Sequence, residues 1–136
     1  MENSQIPFHL PEFKTPTLLF VSDTTRAKWY LLNGKDISKV GGFERKKPVY
    51  SDDTRHNNID EIEINELEHF SKDAAEALMR ETKAAGAKHV IVCVPQRIKS
   101  FFDKHIPAPF KKKIIRHHDA NLYRFAGLEV LKMLYK

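Results

Sequence analysis

A chain of 136 residues with 41% hydrophobic content is long enough for one buried core and too short for two ordinary domains. Its longest apolar runs, 18–21 and 90–94, fall far below the roughly 18 residues of a membrane span, so no segment is expected to cross a bilayer. The net charge of +5 is unevenly placed: residues 97–136 carry ten Lys or Arg against three acids, a balance of +7 that leaves −2 for the rest, and residues 52–76 alone hold nine acids. An anionic partner is drawn to the basic C-terminal part.

In residues 1–16, Pro7, Pro11 and Pro16 alternate with Phe8, Leu10 and Phe13, which predicts an extended arm laid on the surface of a single domain spanning 17–136. The arm lacks the layout of a secretory signal, and one cysteine cannot close an internal disulfide, so the cytoplasm is the expected compartment. Residues 18–22 and 27–32, joined by polar 23–26, predict a β-hairpin. Asn33-Gly34 is a turn signal, and 37–43 follows as a third strand, completing an antiparallel meander. Residues 44–58 hold Glu-Arg-Lys-Lys-Pro, two adjacent aspartates and Asn57-Asn58, and predict a long mobile loop bearing Arg45, Lys46 and Lys47.

From Asn65 the period becomes helical, with Leu67, Phe70, Ala74, Ala77 and Leu78 on one face. Asn65 and Glu68 resemble a capping pair and Gly86 supplies a stop; Ile59, Ile62 and Ile64 alternate like a strand, but the polar residues between them also allow an earlier helix start at Asp60. Residues 89–94 run without polar interruption to Pro95 and predict a buried, central strand reached by a crossover, hence a partly parallel sheet. A helix over 96–104 turns Ile98, Phe101 and Phe102 inward, Pro107 and Pro109 break it, a short helix follows at 110–113 and a strand at 114–118. The last helix is expected over 123–135, with Phe125, Leu128, Leu131 and Leu134 at helical spacing. The expected fold is α/β: a mixed five-stranded sheet that opens with an antiparallel meander, with helices packed on its faces.

Four features bear on chemistry. Cys93, between Val92 and Val94, reads as a buried apolar position rather than a reactive thiol. His117-His118-Asp119 offers ligand types for a metal or for acid–base work, but adjacent strand residues face opposite sides, and the other histidines lack ligand spacing. Asp23 could pair with Asp119 if their strands were neighbours; the simpler reading is an Asp that holds a turn. Arg97, Lys99, Lys111, Lys112, Lys113 and Arg116 form the basic concentration most suited to phosphate backbones, with a solvated helix face as the plain alternative. No catalytic site, metal site or cofactor is assigned from these residues.

Four ordered segments resemble a known bacterial family, the proteins required for attachment to host cells. They are Thr17-Leu-Leu-Phe-Val-Ser-Asp-Thr-Thr-Arg-Ala-Lys, Glu68-His-Phe-Ser-Lys-Asp-Ala-Ala-Glu-Ala-Leu, His89-Val-Ile-Val-Cys-Val-Pro-Gln-Arg and Asp119-Ala-Asn-Leu. That family looks related to the middle domain of archaeal and eukaryotic class-one translation termination factors, which implies a link to the ribosome. Those factors use a Gly-Gly-Gln loop in peptidyl-tRNA hydrolysis. Here Gly41-Gly42-Phe43 stands near the comparable place, with no amide at the third position, so the two glycines read as a bulge or bend. The resemblance implies a non-enzymatic host-attachment protein acting through binding, inside the cell. The alternative is an RNA- or ribosome-associated factor using Lys111 to Arg116 with the loop. Expected partners are a ribosome, RNA or another protein, and no membrane.

Overall fold

The computed structural model describes the backbone of residues 3–45 and 59–135, and the side chains of 5–45 and 63–135 within them. Six strands and four helices follow in the order β1 (Asn3–Gln5), β2 (Phe13–Ser22), β3 (Arg26–Gly34), β4 (Asp36–Glu44), α1 (Ile59–Ala85), β5 (His89–Val94), α2 (Gln96–Lys104), α3 (Ala108–Lys111), β6 (Ile114–Asp119) and α4 (Gly127–Leu134). The sheet order is β1-β4-β3-β2-β5-β6. β2, β3 and β4 form the antiparallel meander, while β5 joins β2, and β6 joins β5, in parallel. The mixed sheet is therefore the one expected, and three residues of the arm extend it by pairing with β4.

The alternation of side chains along the strands splits the core in two. On one face Leu18, Phe20, Trp29, Val90 and Val92 pack under Phe70, Ala74 and Leu78 of α1, Ile98 and Phe102 of α2, and Phe110 of α3. Phe20 is the centre of this layer, stacked on Trp29 (5.8 Å between centroids) and near Phe102 (6.0 Å). On the other face Leu19, Val21, Tyr30, Leu32, Ile91 and Cys93 meet Val130, Leu131 and Leu134 of α4, together with Ile6, Leu10 and Phe13 of the arm. β5 is buried on both sides, between β2 and β6, which is why its sequence carries no polar interruption.

α1 begins at Ile59, near the earlier of the two sequence options. Ser71 and Thr82, buried on its inner face, satisfy their hydroxyls by donating to the carbonyls of Leu67 and Leu78 (2.6 Å each). Gly86 ends the helix at φ +66°, a left-handed cap that other residues adopt only with strain. α4 starts later than the spacing of its apolar residues suggests. The Asn121 Oδ1 accepts the Tyr123 N–H (3.3 Å), closing a turn, and the Phe125 carbonyl is taken by the Lys28 ammonium (2.6 Å), so residues 121–125 are committed before the helix begins. α3 lies two residues earlier than expected because Pro109 fits a first helical turn, where its missing N–H is not needed.

Candidate nucleic-acid interface

The two parallel ladders begin at one level: Thr17, within β2, stands opposite His89, the first residue of β5, and Val90 opposite Ile114, the first of β6. The segments that precede these starts consequently meet at one end of the sheet. The Lys88 N–H donates to the Pro16 carbonyl (2.9 Å), and the Val90 N–H to the Lys113 carbonyl (2.8 Å). The segments that bear Lys14, Lys88 and Lys111–Lys113 therefore adjoin at one edge, next to the last turn of α1, where the Lys83 carbonyl accepts the Gly86 N–H. With strands about 4.8 Å apart, the three strand starts span only about 10 Å.

All six lysines are exposed, and among the described residues none has an ion-pair partner. Glu81, the acid close to them in α1, is held by Arg80 at 3.0 Å. Lys113 lies over the Phe110 ring, 5.7 Å from its centroid, leaving its charge outward on an apolar support. A row of unneutralised ammonium groups raises the local potential and attracts a polyanion by displacing its counterions.

The opposite end differs. Arg97 and Lys99, on the first turn of α2, reach Glu63 (3.5 Å) and Asp119 (3.1 Å). Arg116 points to the other face, donating to the Leu134 carbonyl (2.9 Å) with its guanidinium 4.3 Å from the Tyr135 centroid, and so ties β6 to the end of α4. The structure thus brings together Lys111, Lys112 and Lys113 of the six cations named from sequence, and sets Arg97, Lys99 and Arg116 apart from them. Of the predicted loop, Glu44 is the last residue of β4 and Arg45 is bound to Glu66 (3.3 Å) and Asp73 (2.9 Å) of α1. Lys46, Lys47 and the rest of that loop, 46–58, lie outside the described residues.

The remaining candidates resolve into structural roles. Asp23 Oδ1 accepts the N–H groups of Thr25 (2.8 Å) and Arg26 (2.6 Å), making it the organiser of the β2–β3 turn. Its strand is separated from that of Asp119 by β5. His117 pairs in register with Val92 and His118 with Cys93, whose side chains belong to the two opposite cores. The two imidazoles therefore face opposite sides, and only His117 approaches Asp119 (3.6 Å). Cys93 is fully buried, and that burial pushes its thiol up to about 12.

Gly41 sits beside a bulge at Val40, and a Cβ added there would come within 2.7 Å of the Trp29 indole nitrogen. Phe43 packs on Phe70 (5.6 Å between centroids) and Trp29 (6.3 Å), so the Gly-Gly-Phe segment is a strand built into the core. Lys14, Lys83 and Lys88 escaped the sequence reading because each stands alone in its segment. Their shared signal is position, just upstream of the point where a parallel ladder begins or in the last turn of a helix, and it acquires meaning only once those strands are known to run parallel.

This arrangement, a mixed sheet with both crossover helices on one face, is a fold shared with solved structures. An archaeal protein matches with a TM-score of 0.50 and 18% identity, over 90% of this chain and 33% of its own. The archaeal translation termination factor aRF1 matches at 0.48 and 13%, over 90% and 38%. A translation termination-like factor of S. cerevisiae involved in RNA quality control matches at 0.44 and 17%, over 79% and 30%. The chain spans about a third of the length of each, and the first of these likenesses is one of fold alone. No protein-family model matches the chain, and neither does any curated protein. Among the described residues no helix is long and apolar enough to cross a membrane.

Proposed function

We propose that this chain is an RNA-binding module of the ribosome-associated kind, which holds phosphate backbones on the lysine edge of its sheet and acts by binding rather than by bond chemistry. The observation that carries the reading is the convergence of Lys14, Lys83, Lys88 and Lys111–Lys113, from four separate segments, into one exposed row without acid partners among the described residues. Backbone binding of this kind needs point charges that a flexible polyanion can reach, not a shaped catalytic cleft. The sequence resemblance to a domain of termination factors points the same way. Phe43, which stands near the place comparable to their Gly-Gly-Gln loop and packs on Phe70, offers no amide for peptidyl-tRNA hydrolysis. On this reading a contribution to host attachment is indirect, made from inside the cell through an RNA-bound partner.

The test is sedimentation with purified ribosomes across a salt series. Binding at low salt that falls steeply as salt rises, and that is lost when Lys111, Lys112 and Lys113 are together changed to Glu, supports the proposal. Absence of binding at every salt concentration removes it.

A further inference from the structure

At the end of the sheet opposite the lysine edge, the turn after β2 and the turn after β6 meet on the face that carries α4. Between them lies an open pocket of about 380 Å³, lined by Asp23, Arg26, Asn121, Tyr123 and Arg124. Its volume falls within the roughly 300–1,000 Å³ usual for small-molecule sites and exceeds what a bare tetrahedral anion needs.

Asp23 builds this pocket. One carboxylate oxygen accepts two backbone N–H groups of its own turn, and the other accepts Nε (2.8 Å) and Nη2 (2.7 Å) of Arg26. With both oxygens occupied, the carboxylate acts as a fixed bracket for the guanidinium, which it lays against the Tyr123 ring, 4.5 Å from the centroid. Lys28, two residues along the same strand face and buried, lies 4.9 Å from that centroid and braces the same ring, while donating to the Phe125 carbonyl. The Asn121 side-chain oxygen is used by the Tyr123 N–H, leaving its amide N–H groups as donors. Arg124 rests over the Phe125 ring at 4.8 Å and has no acid partner among the described residues.

Beside the Asp23 carboxylate, whose oxygens are both occupied, the pocket therefore presents the unused edge of one pre-oriented guanidinium, a second guanidinium, a side-chain amide and an aromatic ring. The free fork of Arg124, with the outer N–H groups of Arg26 beside it, matches the several oxygens of a phosphoryl group better than a single point charge does. An adjacent ring held by cations offers a surface for a base. We propose that this pocket binds a phosphoryl group carried on a nucleoside, either free or at the end of an RNA chain. The proposal is independent of the lysine edge.

Calorimetric titration of the whole chain with 5′-AMP, adenosine, inorganic phosphate and a 5′-phosphorylated trinucleotide tests it. The expected result is saturable binding of AMP, at least about tenfold tighter than adenosine or phosphate alone. Arg124→Ala, at an exposed position, should weaken AMP by about tenfold or more, and Arg26→Lys, which keeps the charge and loses the fork, should also weaken it. The triple Lys111→Glu, Lys112→Glu, Lys113→Glu variant should leave AMP affinity unchanged. A tighter trinucleotide identifies an RNA end as the source, and equal affinities identify a free nucleotide. Failure of every phosphate-bearing probe to bind at about 10 mM, equal affinity for adenosine and AMP or for phosphate and AMP, or an Arg124→Ala variant that binds as wild type, would overturn the proposal.

Discussion

The two ends of the parallel strands carry similar numbers of cations and use them differently. Where β2 and β5 finish, Arg26 is held by Asp23, Arg97 by Glu63 and Arg45 by Glu66 and Asp73, while Lys99 is bound to the Asp119 that closes β6. Where the strands begin, six lysines stand exposed and, among the described residues, without an ion-pair partner. A net charge says nothing of this difference. What decides whether a cation can follow an extended phosphate backbone is the pairing imposed by topology, since an exposed ion pair carries little net field toward a polyanion.

The bluntest way to break the comparison is to loosen the sheet that keeps the two ends apart. Phe20 is fully buried between Trp29 and Phe102, and Phe20→Ala should cost about 3–5 kcal/mol in denaturant unfolding and erase the distinction between ends. A sharper test reverses charge at one end only. Changing Lys111, Lys112 and Lys113 to Glu should lower affinity for a generic RNA by about a hundredfold or more, measured by fluorescence anisotropy, with unchanged thermal stability. The matched change at the other end, Arg97→Glu with Lys99→Glu, should alter it by less than about threefold. Asp23→Ala, which removes the acceptor of two backbone N–H groups, should destabilise by about 1.5–3 kcal/mol and leave the lysine edge unaffected.

Two smaller effects concern protonation. Cys93, with its thiol pushed up by burial, should resist alkylation at pH 8 until the protein is unfolded, as followed by mass spectrometry. Glu68 lies beside the Lys104 ammonium, whose hydrogen bond and charge hold its carboxyl below the ordinary 4.5. A carboxyl depressed in the folded state stabilises above its unfolded value, so the increment is complete above pH 4.5 and fades as pH falls through the folded value. Glu68 is largely open to solvent, and Glu68→Gln should accordingly shift the thermal midpoint only slightly near neutral pH, and by less still as pH falls below 4.5.

Much of the fold was legible because its signals are local. The unbroken β-branched run of β5 and the amphipathic spacing of α2 have the boundaries that their residues predict, since Pro95 separates them without ambiguity. α4 was less legible: Phe125 stands at helical spacing from Leu128, but Asn121 and Lys28 commit the segment before Gly127 to a turn through contacts that spacing cannot show. The candidate interface was legible by half. Lys111–Lys113 declare themselves as a run, whereas Lys14, Lys83 and Lys88 are single residues that become neighbours only through strand order. Arg97, Lys99 and Arg116 were drawn into the same patch by nearness in sequence, and the parallel pairing of β5 with β6 distributes them elsewhere.

The most direct test of the account is the salt dependence of RNA affinity in the wild-type chain and in the variant with Lys111, Lys112 and Lys113 changed to Ala. The account predicts a linear fall of log affinity with log salt, whose slope is reduced by about 2 in the variant, as expected when three single-strand phosphate contacts are lost. An identical slope in the two proteins, or an affinity that ignores salt, would contradict it.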